Sequence, residues 1–209
     1  LSELETLMRE NVSEILDGLP IGTPFNWVEH VSKELTARML AVLFNIPFED
    51  RHLLPYWSDV MTASDLVGTS GVNEAERQRV LLECLSYFTQ KWQERAVSEP
   101  QFDFISLLSH DPKTKDMINS PMEFLGNLML LVIGGNDTTR NSISGGVVFL
   151  NDHPHQSAPL TADPTLVPSM VYFILLFYFL LVFILLLLSY FFVLFFFTIL
   201  YCDTVVMWS

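Results

Sequence analysis

Ile133-Gly134-Gly135-Asn136-Asp137-Thr138-Thr139-Arg140-Asn141-Ser142 is a run of small and polar residues set inside an apolar segment, Pro121 to Leu150, whose only charges are Glu123, Asp137 and Arg140. A segment so poor in charge is expected to cross the core of a domain. The polar run inside it has two local readings. In one, Gly134-Gly135-Asn136 ends a helix and Asp137 or Thr138 caps the next. In the other, the helix continues, the two glycines remove side-chain bulk on one side, and Thr138 bonds the carbonyl of Gly134 four residues back, loosening the helical ladder.

Working outward, the pattern is helical almost everywhere. Leu1, Leu4, Met8, Val12 and Ile15 recur every three or four residues until Asp17-Gly18 and Pro20 stop them. Asn26 can cap a second helix with a stripe of Val28, Val31, Leu35, Met39, Val42 and Leu43, halted by Asn45 and Pro47. A third helix is predicted from about Asp50 to Ala63, followed by Gly68-Thr69-Ser70-Gly71, a flexible connection suited to a lid. Asn73 opens a long helix with Val80, Leu81, Cys84, Leu85, Tyr87, Phe88 and Trp92 on its apolar side. A short helix is predicted from Asp103 to Leu108, then an exposed turn over residues 110–116. Pro154 ends the long apolar segment after Asn151-Asp152-His153. No stretch alternates convincingly enough for a strand, and no repeat is visible. The expected fold class is mainly α.

The 24 acidic residues outnumber the 11 basic ones, and every Lys and Arg lies at or before Arg140. With a net charge of −13 and no basic stripe, nucleic acid and anionic lipid are disfavoured as partners. The charged opening, with Glu3, Glu5, Arg9 and Glu10, is not a secretory signal, and Leu1 in place of Met suggests an internal piece of a longer protein. Two distant cysteines, Cys84 and Cys202, point to a reducing compartment without a disulfide framework. His30, His52, His110, His153 and His155 show no ligand spacing, so no protein metal site is expected.

GGNDTT at 134–139 resembles the distal helix of cytochromes P-450, whose pattern is Ala or Gly, Gly, any residue, Asp or Glu, Thr, then Thr or Ser. The stretches LPIGTPFNWVEHVSKELTARMLAVLFNIPFEDR, YWSDVMTASD and MEFLGNLMLLVIGGNDTTRNSISGG are similar to the bacterial alkane-hydroxylating branch of that family. The resemblance implies a partial cytochrome P-450 fold over residues 1–163, running from the middle helices through the distal oxygen-binding helix. It implies haem b as cofactor, dioxygen as co-substrate, and a ferredoxin with its reductase as electron donors. The substrate would be an alkane or other medium-chain aliphatic molecule, held by buried methylenes at about 0.8 kcal/mol each. The location would be the bacterial cytoplasm. Gly134 and Gly135 would make room beside the haem, Thr138 would hydrogen-bond the oxygen being reduced, and Asp137 would relay protons to it. Leu66, Val67, Leu130 and Ile133 could line a substrate pocket or belong to plain core.

The family's haem-ligating cysteine, in a glycine-rich loop at a helix start, has no counterpart here. Cys84 reads as a buried core thiol, and Cys202 lacks the flanking glycines. The family's Glu-x-x-Arg pair is missing after residues 164–170, while Glu74-Ala75-Glu76-Arg77 has the spacing upstream and reads as a solvated pair. The polypeptide alone is therefore expected to be inactive. Residues 164–209 form an aberrant apolar tail, and residues 171–201 carry no charge, more than the roughly 20 residues a bilayer-spanning helix needs. The tail reads as a shifted frame; the alternative is a non-enzymatic helical protein anchored in a membrane by residues 171–201, although no basic flank follows Arg140.

Overall fold

Helix starts fall where short polar side chains can satisfy free backbone N–H groups. A computed structural model describes residues 2–63 and 73–176, together with residues 180, 183, 184 and 187. Asn73 Oδ1 accepts from Glu76 N at 2.9 Å and opens a helix at Glu74–Ala96, while Asp103 Oδ1 accepts from Ser106 N at 2.7 Å and opens another at Phe104–His110. Asn26 Oδ1 accepts from Val28 N and Glu29 N, as its residue type predicts. In chain order the helices are α1 (Ser2–Asp17), α2 (Lys33–Phe44, preceded by a wider turn at Val28–Ser32), α3 (Leu53–Thr62), α4 (Glu74–Ala96), α5 (Phe104–His110), α6 (Pro121–Asp152) and α7 (Pro154–Ala162). The described residues contain no strand. The Gly68–Gly71 connection, Leu66, Val67 and Cys202 lie outside the described residues.

Contacts divide the chain into two compact units, residues 1–144 and residues 145–209. The core of the first is built by α2 to α6. On α4 the fully buried side chains are Val80, Cys84, Phe88 and Trp92, a single four-residue period that faces one way. Phe88 packs against Phe44 of α2 and Trp57 of α3, each at 5.6 Å between ring centroids, and Trp92 meets Phe124 of α6 edge-on at 5.1 Å. Each such burial stabilises by roughly 1.5–3 kcal/mol.

Two expectations shift. The buried side of α2 is Thr36, Ala37, Leu40, Ala41 and Phe44, with Ser32 just before it, whereas Leu35, Met39, Val42 and Leu43 are only half-buried. The buried face mixes Leu40 and Phe44 with the small residues Ser32, Thr36, Ala37 and Ala41, which let neighbouring helices approach closely. Met8 of α1 is 45% exposed, and Ile15 carries the burial.

α2 ends on Asn45, the one described non-glycine residue with positive φ, at 47°. Its side-chain amide reaches Gln101 Oε1 at 2.8 Å and the buried Asp103 Oδ2 at 3.3 Å, and its carbonyl accepts from Arg95 Nη2 at 3.1 Å.

In the second unit, α7 has Pro154 at its start, followed by a short 3-10 turn at Pro164–Leu166 and helix over residues 167–176. Val171, Tyr172 and Phe173 are exposed. Among the described residues no single helix is long and apolar enough to cross a membrane; Pro154–Ala162 and Pro164–Leu176 meet that measure only as a pair bent by 113°. Most of the 171–201 stretch lies outside the described residues.

Candidate functional site

α6 runs unbroken from Pro121 to Asp152, so Gly134-Gly135-Asn136 does not end a helix and neither Asp137 nor Thr138 is a cap. The reason is tertiary: Phe124, Leu125, Leu128, Met129 and Val132 ahead of the glycines and Asn136 just beyond them share one buried face, which holds the helix through the glycines. Only that face is covered. The opposite side carries Leu130 at 71% and Leu131 at 37% exposure, with Gly134 and Thr138 also exposed, so the expectation that the segment crosses the core holds for one face alone.

The two glycines differ in surroundings. A Cβ on Gly134 would meet nothing within 4 Å, while one on Gly135 would lie 2.9 Å from Leu40 Cδ2 of α2. Thr138 Oγ1 donates to Gly134 O at 2.5 Å, the bond that the spacing predicts. Leu130, Gly134 and Thr138 thus form a four-residue stripe, apolar at one end, bare in the middle and hydroxyl-bearing at the other.

Asp137 points elsewhere. Its Oδ1 accepts from Asn136 Nδ2 at 2.9 Å, Ser58 Oγ at 3.1 Å and Arg140 Nη2 at 3.1 Å. Arg140 Nη1 also donates to Asp59 Oδ1 at 2.8 Å, and Lys33 Nζ lies 3.4 Å from Asp59 Oδ2 and 2.9 Å from Glu29 Oε1. The hydrogen bond to Glu29, reinforced by Asp59, holds the Lys33 ammonium above the ordinary lysine range against the opposing effect of burial. Asp137 and Thr138 are therefore neighbours in sequence with different partners: the carboxylate meets donors from α3 and α6, and the hydroxyl lies on the exposed side.

Sequence reasoning missed Ser58, Thr36, Asn136 and Arg140 as parts of this network. A signal existed for Asn136, the one polar residue in the stripe Leu125, Leu128, Met129, Val132 and Asn136. Ile133 packs against the core, and Leu130 stays on the open side.

The bare, apolar stripe suits a flat apolar macrocycle on this side of α6, since Gly134 and Leu130 offer it no polar group to desolvate. No thiolate is offered by the described residues: Cys84 is fully buried, its Sγ 3.5 Å from Met129 Sδ, and burial pushes the thiol far up, the reverse of what ligation needs. Among the described residues no group of His, Cys, Asp and Glu could hold a metal ion. A cavity of about 300 Å³ between α1 and the end of α2 is lined by Leu7, Asn11, Arg38, Ala41, Val42, Asn45, Ile46 and Phe48, none of them from the motif.

These helices are a partial cytochrome P-450 fold. Among solved structures, the chain is similar to cytochrome P-450 153 of Novosphingobium aromaticivorans, at 41% identity and a TM-score of 0.69, covering 81% of this chain and 40% of that one. It is also similar to CYP153D17 of Sphingomonas sp. PAMC 26605, at 38% identity and a TM-score of 0.67, covering 83% and 42%. Among curated proteins, the vitamin D(3) 25-hydroxylase of Pseudonocardia autotrophica is 29% identical over 178 residues, 85% of this chain and 42% of that protein. The chain thus spans about two-fifths of the length of the relatives it matches. No family model matches it.

Proposed function

We propose that the chain is part of a haem-dependent monooxygenase that hydroxylates an aliphatic substrate, with electrons delivered by a ferredoxin and its reductase. The observation that carries this reading is the open stripe of α6, where Thr138 and Gly134 stand beside exposed leucines within a complete six-residue motif. Haem b, when bound through a cysteine of the intact protein, supplies dioxygen activation and hydroxylation. Leu130 and Leu131 would exclude water and hold apolar surface there. Gly134 keeps the helix surface flat, and Gly135 lets α2 sit close behind it through Leu40. Thr138 would release its bond to the Gly134 carbonyl and turn its hydroxyl proton outward. Asp137 would take up a proton from solvent and pass it on to that hydroxyl, returning to its ionised form each cycle.

An alkane or other medium-chain aliphatic substrate is supported by the wider sequence likeness and by the absence of charge on the exposed stripe. A second reading, a bulkier sterol-like substrate, is favoured by the vitamin D(3) 25-hydroxylase relative. The test uses the haem-bound enzyme that contains this segment. Thr138→Ala is expected to lower product formed per NADH consumed while NADH consumption continues; unchanged coupling would remove the basis of the proton-delivery role. Turnover of linear alkanes against sterols separates the two substrate readings. The 209-residue chain alone is expected to give no thiolate-type reduced-CO band after haem addition, and such a band would contradict the reading that neither Cys84 nor Cys202 ligates the iron.

A further inference from the structure

We propose that Thr36 and Asn136 are positioning residues for the Asp137 carboxylate, presenting Oδ2 as the oxygen that takes and gives up the proton; this rests on the reading of Asp137 as a proton carrier.

Asn136 has no exposed surface and sits at the end of an otherwise apolar stripe of α6. A buried amide is costly unless its donors and acceptor are met, and a leucine would fill the space without that demand. Both sides of the amide are engaged: Oδ1 accepts from Thr36 Oγ1 of α2 at 3.0 Å, and Nδ2 donates to Asp137 Oδ1 at 2.9 Å. The orientation is dictated by the carboxylate, which when ionised only accepts, so a flipped amide would set oxygen against oxygen. Thr36 reinforces that choice. Its single hydroxyl proton has Ser32 O and Lys33 O within 3.1 Å as well as Asn136 Oδ1, and donation to Asn136 pins the amide oxygen toward α2.

The consequence falls on Asp137. Asn136, Ser58 and Arg140 all donate to Oδ1, and among the described residues no donor reaches Oδ2. A carboxylate so loaded on one oxygen is protonated on the other. The proton therefore arrives at and departs from Oδ2, no bond between heavy atoms changes, and the three donors keep Oδ1 fixed throughout.

The test has two arms. In the 209-residue chain with nitrogen-15-labelled asparagine, the Asn136 side-chain amide is expected to exchange slowly with water. Asp137→Ala should speed that exchange about tenfold or more, since a hydrogen bond to a charged group is lost. Thr36→Val, which keeps the side chain's shape and removes the hydroxyl, should also speed it, and Thr36→Ser should restore the slow rate. Exchange unaffected by both Asp137→Ala and Thr36→Val would overturn the proposal. In the haem-bound enzyme, Thr36→Val is expected to leave substrate KM unchanged, lower product per NADH and enlarge the solvent isotope effect, with Thr36→Ser restoring all three. If Asp137→Asn keeps full coupling, the proton-carrier reading itself fails. If Asp137→Asn uncouples while Thr36→Val and Asn136→Leu do not, the positioning role alone fails.

Discussion

Thr138 Oγ1 lies 2.5 Å from the carbonyl oxygen of Gly134, one turn back along α6, and both residues are on the exposed side of that helix. The hydroxyl proton is thus parked on the backbone, and because the hydroxyl is exposed, water can replace the carbonyl when it turns away. Adjacent Gly135 belongs to a different environment, packed on Leu40.

The two glycines should respond oppositely to the same substitution. Gly134→Ala adds a methyl group in open space and a better helix former, so it is expected to stabilise the chain by up to about 1 kcal/mol. Gly135→Ala gains the same propensity but drives a Cβ to 2.9 Å from the buried Leu40 side chain, so it is expected to destabilise by up to about 2 kcal/mol net, an effect eased by adding Leu40→Val. Urea unfolding midpoints read both. Equal shifts would be inconsistent with the packing described.

Arg140 bridges Asp59 and Asp137 with 14% of its own side chain exposed. Arg140→Gln is expected to cost about 1–3 kcal/mol, because two carboxylates lose a shared charged donor. In an Asp59→Asn background the same change should cost less, since the pair is coupled. A double-mutant cycle with no coupling would show that the bridge is not formed in solution.

Glu34 supplies the pH dependence of the α2 side of the core. Burial raises its carboxyl, but hydrogen bonds from Arg38 and Arg51 outweigh that and hold it below the ordinary glutamate value. A folded value below the unfolded one means that its stabilising contribution is complete above the ordinary value of about 4.3 and fades as pH falls through the folded one. Glu34→Gln should therefore weaken the chain at neutral pH, with the gap from wild type closing in acid. Urea midpoints at several pH values measure it, and a gap that widens in acid would contradict the sign.

Cys84 is expected to resist alkylation in the folded chain and to react in denaturant, as judged by mass spectrometry of its peptide. Its burial and the raised thiol both act in that direction. Fast native labelling of Cys84 would place α4 differently against α6.

Much of the helix order was legible because its signals are local. Asn73 and Asp103 cap by their own side chains, Val80 to Trp92 repeat every four residues, and Pro154 halts α6 by chemistry. The glycine pair was ambiguous locally, and long-range packing of Phe124 to Val132 decided it. The buried side of α2 was hidden because Ser32, Thr36 and Ala37 are small or polar, and apolar periodicity weights large residues instead. The candidate site divides in the same manner. The bond from Thr138 to Gly134 follows from four-residue spacing, but Ser58 meets Asp137 and Thr36 meets Asn136 only through tertiary structure, where no sequence pattern links them.

Asn45 gives the molecule a latch. One residue able to turn left-handed gathers the tail of α2, the end of α4 through Arg95 and the approach to α5 through Gln101 and Asp103. Glycine there would keep the turn and the carbonyl that Arg95 reaches but lose the links to Gln101 and Asp103, whereas a β-branched residue would disfavour the turn as well. That corner consequently loosens as a unit, with sequence-distant segments set free together.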